Sequence, residues 1–313
     1  MSLYEQLVRR LYQINIFHPA KMGLRNIQAL HAALGSPMDG VKSVHVAGTN
    51  GKGSVALKMS KALQAAGHRT GLFVSPHVSC FRERVQVDGH LIAEEDVVRL
   101  LPHIFSVMEK ENIPATYFEV VTAMAFTHFA EAGAGVAVVE AGLGGTLDAT
   151  NIIIPILSVL TSVGLEHTRI LGSTVEEIAR EKSGVIKPSV PVVVGKHCPQ
   201  HIFKARQEVA LSRGSPFFTV EDLVPGPIAA DDYDFDDENS LVARAALMLL
   251  SKEGPLPEVP EAAVAEGVAQ RPPCRFEVVQ ARPPGATSDS PPVTVVLDVA
   301  HNPPAIALLF HKV

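Results

Sequence analysis

The chain has 313 residues, 47% of them apolar and 19% charged, with a net charge of −6, an isoelectric point near 6.1 and a mean hydropathy of +0.20. That length can bury a large core and predicts about two domains. The composition excludes a disordered or fibrous chain, and an acidic balance with no basic stripe argues against nucleic acid as the main partner.

Residues 1–34 alternate helical apolar spacing (Leu3, Leu7, Leu11, then Ile27, Leu30, Leu34) with polar turns. Glu5 and the lack of a long apolar stretch there argue against a secretory signal. The Arg9–Arg10 pair leaves an organellar signal open, so the expected location is cytoplasmic, with a mitochondrial one as the alternative. A short strand at Val44–Ala47 leads into a glycine-rich turn, a helix at Val55–Ala66 and a strand at Thr70–Val74. Thr116–Ala130 predicts a helix, Val136–Glu140 and Ile156–Val163 strands, Val175–Lys182 a helix and Val190–Val194 a strand. Short apolar strands alternating with helices predict an α/β fold, a mostly parallel sheet covered by helices on both faces. Ligands of such sheets bind beyond the carboxyl ends of the strands. The apolar run Ile152–Leu165 contains Pro155 and is shorter than the ~20 residues of a membrane span, so no membrane partner is expected. Cys80, Cys198 and Cys274 are far apart and lack C-x-x-C spacing, which predicts reduced thiols.

Residues 231–238 hold six acids in eight positions. A calcium loop would need a glycine and a closing glutamate that are missing, so a solvated loop is expected. Residues 281–292, ARPPGATSDSPP, predict a linker or surface insertion, and Val293–Leu297 a new strand. The expected domains are a first α/β one over 1–280, the linker over 281–292 and the start of a second α/β domain over 293–313.

The strongest local signal is Val44–Ser54, VHVAGTNGKGS. Strand, glycine turn, lysine, hydroxyl and helix together make a phosphate cradle, with turn N–H groups and the helix N-terminus facing an anion. Thr49, Asn50, Gly51, Lys52, Gly53 and Ser54 are its candidate nucleotide-binding residues. Lys52 would serve the β- and γ-phosphates, and Ser54 or Thr49 phosphate or Mg²⁺. The spacing departs from the standard P-loop, because one residue separates the lysine from the hydroxyl. Glu140 ends an apolar strand, where a carboxylate is costly to bury without a partner and could hold Mg²⁺ against phosphates; a capping or salt-bridged acid is the plainer alternative. His167 follows the strand at 156–163 on the same edge, though histidine is an unusual ligand for Mg²⁺. Ser75 reads as a turn serine before Pro76, and Lys182 as a solvated lysine.

GTNGKGS resembles the ATP loop of the folylpolyglutamate synthase and dihydrofolate synthase family, within the Mur ligase superfamily. The likeness continues through SPH at 75–77, RERV at 82–85, TYFE at 116–119, VVEAGLGGTLDATN at 138–151, EKSGVIKP at 181–188, CRFEVV at 274–279 and LDVAHNP at 297–303. The resemblance implies a P-loop-type ATPase domain and a ligase that adds L-glutamate to a folate with ATP, through an acyl phosphate. It implies that Ser75, Glu140 and His167 hold a second Mg²⁺, that Lys182 is carbamylated, and that Arg275, Asp298 and His301, from the domain junction, close over ATP. Lys52, Glu140, His167 and Lys182 are thus the expected catalytic set, and Ser54, Ser75, Glu140 and His167 the metal set. ATP and two Mg²⁺ are the expected cofactors, with a monovalent cation left open, and a monomer is expected. Dihydrofolate synthase, acting on dihydropteroate, is the alternative, and a Mur ligase of peptidoglycan synthesis a weaker one. The family pattern also implies a larger second domain, which leaves a non-catalytic nucleotide- or folate-binding remnant as a third reading. Four positions depart from the family: Thr146 for an arginine, Glu166 for an aspartate, Cys274 for a glycine, and Arg244 where an asparagine contacts ATP.

Overall fold

The computed structural model describes residues 1–14, 23–195, 199–224, 235–253, 256–282 and 292–312. Its frame is one eight-stranded sheet of β1 (Lys42–Ala47), β2 (Thr70–Phe73), β3 (Val85–Val87), β4 (His90–Leu91), β5 (Val136–Glu140), β6 (Leu157–Leu160), β7 (Val192–Val194) and β8 (Phe217–Thr219), in the order β4-β3-β2-β5-β1-β6-β7-β8. β2, β5, β1, β6, β7 and β8 run parallel, while β3 and β4 form an antiparallel border. The α/β expectation is met.

The parallel strands read as continuous apolar runs because both faces are covered. Alternate side chains of β5 go to opposite cores. Val136 and Val138 pack with Val44 and Val46 under the helix Lys52–Ala65, while Ala137 and Val139 pack with Phe73 against the helices Glu94–Lys110 and Tyr117–Glu131. Thr116 caps Tyr117–Glu131 in a capping box with Glu119. A third cluster gathers Ala47, Leu160, Val192 and Val194 beside the helix Gln200–Ser212.

Chain order places the site. β1 lies between β5 and β6, and the chain leaves it for β2 on one side and later reaches β6 on the other, so the end of β1 sits where the sheet order switches. Register aligns Val46 with Glu140 and Ala47 with Leu160. The residues that follow three strands therefore share one edge.

Two expectations change. The strand expected at Ile156–Val163 stops at Leu160, because Thr161 and Ser162 turn their hydroxyls onto the Asn50 carbonyl. The acidic run is not simply a solvated loop. Residues 231–234 lie outside the described residues, but Asp236, Asp237 and Glu238 form the first turn of the helix Phe235–Glu253, where acids favour the helix dipole.

By itself, the chain divides into two compact units, Met1–Gln270 and Arg271–Val313. In the second, β9 (Glu277–Ala281) and β10 (Val293–Leu297) pair antiparallel, and the helix Pro303–Lys312 follows. Most of the segment expected as a linker, 283–291, lies outside the described residues. Among the described residues no helix is long and apolar enough to cross a membrane.

Candidate active site at the carboxyl edge of the sheet

The turn after β1 is built to lie flat against its neighbours. Gly48 has φ 154° and a Cβ there would stand 1.9 Å from Thr161 Oγ1. Gly51 has φ 84°, a region that favours glycine, and a Cβ there would stand 2.2 Å from Asn239 Oδ1. The Thr49 N–H donates to the Ser162 carbonyl (2.7 Å), and the Thr49 hydroxyl both donates to the Gly164 carbonyl and accepts from the Gly164 N–H. The Asn50 N–H donates to Ser162 Oγ (3.2 Å), and Thr161 Oγ1 donates to the Asn50 carbonyl (2.7 Å). The segment after β6 thus fixes the first half of the loop.

The second half opens the helix Lys52–Ala65. Its N-cap is Gly51, which offers no side chain to the first-turn N–H groups, so that end keeps its donors and its positive potential for an anion. Lys52 Nζ donates to the Thr49 carbonyl at 2.9 Å, folding over the loop. Ser54 is buried in the first turn.

Glu140 comes from the other side. Its carboxylate is 3% exposed, accepts from the Ser75 N–H at 2.8 Å, and lies 3.2 Å from where a Gly53 Cβ would be. Ser75, Gly53 and Glu140 are therefore neighbours, as the strand ends of β2, β1 and β5 require. The peptide between Ser75 and Pro76 is cis. His167 precedes the short helix Thr168–Leu171 that follows β6: it has φ 49°, its side chain is half exposed, and its Nε2 is 3.8 Å from Glu166. Among the described residues no group of three or more His, Cys, Asp or Glu could hold a metal ion by itself.

Lys182 differs from its sequence reading. It is 2% exposed at the end of the helix Val175–Lys182, and its Nζ donates to the Gly48 carbonyl at 2.7 Å. Burial, and then the nearby Lys52 cation, lower its pKa from 10.5 to about 7. A helix lysine reads as solvated in sequence because the groups that bury it are distant in the chain. Thr146 holds the residue beside it: its N–H donates to both the carboxylate and the carbonyl of Glu181.

Asp148 was not singled out in the sequence, yet it pins the glycine turn after Glu140. It is buried and accepts from the Leu143 N–H (2.7 Å), the Thr150 N–H (2.9 Å) and the Thr150 hydroxyl. The Thr150 proton is committed to Asp148, so buried His45, whose Nε2 is 2.8 Å from Thr150 Oγ1, must be the donor. Burial lowers the His45 pKa to about 3, which keeps it neutral with its proton on Nε2.

Asn239 corrects the reading of Arg244. Arg244 forms an ion pair with Glu261, and it is the Asn239 amide that lies against Gly51. An acidic run read as loop up to residue 238 offers no helical frame in which Asn239 would face the site.

In the second unit, Asp298 accepts from the Phe276 and Ala300 N–H groups at 2.7 Å each, and the Val299 N–H donates to the Cys274 carbonyl at 3.0 Å. These bonds hold Arg275 between Cys274 and Phe276, both at positive φ. His301 Nδ1 is 2.9 Å from the Val299 carbonyl.

No family model matches the chain. It is 35% identical over 313 residues to the dihydrofolate synthase/folylpolyglutamate synthase of Bacillus subtilis (strain 168), across 90% of this chain and 70% of that one. Its fold is similar to a solved FPGS–AMPPCP–folate complex, with a TM-score of 0.86 and 29% identity over 98% of this chain and 79% of the other. It is also similar to Mycobacterium tuberculosis folylpolyglutamate synthase complexed with ADP, with a TM-score of 0.82 and 29% identity over 98% of this chain and 72% of the other.

Proposed function

Because the chain belongs to the dihydrofolate synthase/folylpolyglutamate synthase family of ATP-dependent ligases, we propose that it adds L-glutamate to the γ-carboxylate of a tetrahydrofolate through an acyl phosphate. A free carboxylate is a poor acceptor for an amine; phosphorylated, it carries a good leaving group. The amine of glutamate attacks the acyl carbon, phosphate leaves, and the amine loses a proton. The chain's part is to position the reactants and neutralise phosphate charge. The observation that carries the reading is the convergence of Lys52, Ser54 and Glu140 on one glycine loop at the switch point of the sheet.

The residues fit a hard divalent cation. Glu140 is a buried carboxylate facing Gly53, with the Ser54 hydroxyl in the adjoining turn and Ser75 bonded to it through its N–H. Glu140, Ser54, Ser75 and His167 would hold Mg²⁺, which would neutralise charge on the phosphates. Thr49 and Asn50 would shape the loop and Lys52 would meet the phosphates.

Lys182 would carry a carbamate, and carbamylation needs the neutral amine. With a pKa near 7 a large share of Lys182 is neutral at physiological pH, whereas an ordinary lysine is almost wholly charged. Between about 7 and 10.5 the unfolded chain binds more protons at this site than the folded one, so stability rises with pH across that window. In bicarbonate-free buffer, urea unfolding should show Lys182→Met gaining most over the parent near pH 7 and progressively less towards pH 10. A gain independent of pH would reject the depressed pKa.

The decisive assay is product mass. With Mg·ATP, L-glutamate and tetrahydrofolate, the chain should release ADP and a folate longer by one glutamate. The double name of the B. subtilis relative favours dihydropteroate as a second acceptor to include. Extension of dihydropteroate alone would move the activity to dihydrofolate synthase; no product from either would overturn the ligase reading.

A further inference from the structure

Lys58 is a fully buried lysine on the helix Lys52–Ala65, less than two turns beyond the loop that begins it. An ammonium has three donors, and all three find oxygen: the Val268 carbonyl at 2.6 Å, the Gln270 carbonyl at 2.7 Å and the Asp236 carboxylate at 3.1 Å. These acceptors come from two other segments. Val268 ends the helix Glu261–Val268, and Gln270 is the last residue of the first unit. Asp236 stands in the first turn of the helix Phe235–Glu253. Ser240, one turn on, reinforces the joint, its hydroxyl donating to the Asp236 carbonyl at 2.6 Å and within reach of the Val268 carbonyl at 3.2 Å.

Asn239 shares the Asp236 face of that helix, three residues along, and it is the side chain packed over Gly51. The contacts close a circuit: Gly51 begins the helix that carries Lys58, Lys58 holds Asp236, and Asp236 sets the helix that returns Asn239 to Gly51. An apolar side chain at 58 could fill the volume but could not choose among positions of the neighbouring helix. A buried charge with three fixed acceptors can, because sliding would strand it.

We propose that Lys58, acting through Asp236, is a positioning residue for the nucleotide: it sets Asn239 over the loop and thereby the affinity of the loop for its phosphate ligand. The proposal rests on the nucleotide-binding reading of Gly48–Ser54. The test is titration of the full chain with Mg·AMPPCP, well below the melting temperature of every variant. Lys58→Met and Asp236→Asn should each weaken binding five- to twentyfold. Asn239→Ala should weaken it similarly, and Asp236→Asn/Asn239→Ala no further than Asn239→Ala alone, since both changes act through one side chain. Asp236 is partly exposed, so its variant carries the test even if Lys58→Met fails to fold. Unchanged affinity in Asp236→Asn with only a lower melting temperature, or losses that multiply in the double variant, would overturn the proposal and leave Lys58 a stabilising contact. If the parent chain does not bind AMPPCP, the nucleotide reading falls first and this proposal with it.

Discussion

Two turns in this molecule present a cation, and they are built in opposite ways. The turn after β1 reaches Lys52 through Gly48 and Gly51, whose backbone angles glycine adopts freely, and uses the missing side chains as contact surface for Thr161 and Asn239. The turn before β9 flanks Arg275 with Cys274 at φ 53° and Phe276 at φ 48°. Residues with a Cβ incur roughly 1–2 kcal/mol each in that region. That turn is held from outside, by Asp298 on the Phe276 N–H, Val299 on the Cys274 carbonyl and Glu277 on the Cys274 N–H at 2.9 Å. The first turn depends on absent atoms and should tolerate no addition. The second depends on polar partners and should fail when they are removed.

The sharpest way to break the contrast is Gly48→Ala. The new methyl would meet Thr161 Oγ1 with nowhere to go, so kcat/KM should fall at least about a hundredfold, or ~2.7 kcal/mol of transition-state stabilisation. A loss under tenfold would mean that the loop can shift. Next, Lys52→Ala should weaken nucleotide binding at least about tenfold, ~1.4 kcal/mol, as measured by titration; unchanged affinity would dismiss Lys52 as the phosphate cation. In the second turn, Asp298→Ala strands two N–H groups and should cost the local structure about 1–2 kcal/mol. Amide exchange at Phe276 and Ala300 should accelerate while the β1 amides stay protected. The smallest effect expected is from Cys274→Gly, which relieves one strained residue and should stabilise the second unit by up to ~1 kcal/mol, less the added chain entropy of glycine. A clear drop in melting temperature would show that the Cys274 side chain contributes more than its backbone costs.

The sequence was most informative where local pattern and chemistry coincide. VHVAGTNGKGS marks strand, turn and helix by itself, and Glu140 stands out because it ends five buried residues. It was least informative where a charged residue is buried by distant partners. Lys182 reads as solvated and Lys58 draws no notice in the sequence, and carbonyls far away in the chain, Gly48 and Val268, hold the two buried amines. Asp236 looked like part of a repelling acidic run, yet one member of that run answers a buried lysine. Asn239 was missed with it, since its role depends on where that helix starts. Short β3, β4 and β8 escaped notice because two or three residues carry too little periodicity.

The ordering of the eight-stranded sheet also bears on self-association. Its longest strands, six-residue β1 and five-residue β5, lie side by side in the interior, each paired on both flanks. The borders are two-residue β4 and three-residue β8. A foreign strand arriving at either border finds few free backbone groups to copy, whereas the valine-rich segments that would template a fibril well are sealed inside. The aggregation hazard of this unit therefore lies in its unfolded chain, and ligands that hold the edge around β1 closed should protect it by keeping that chain rare.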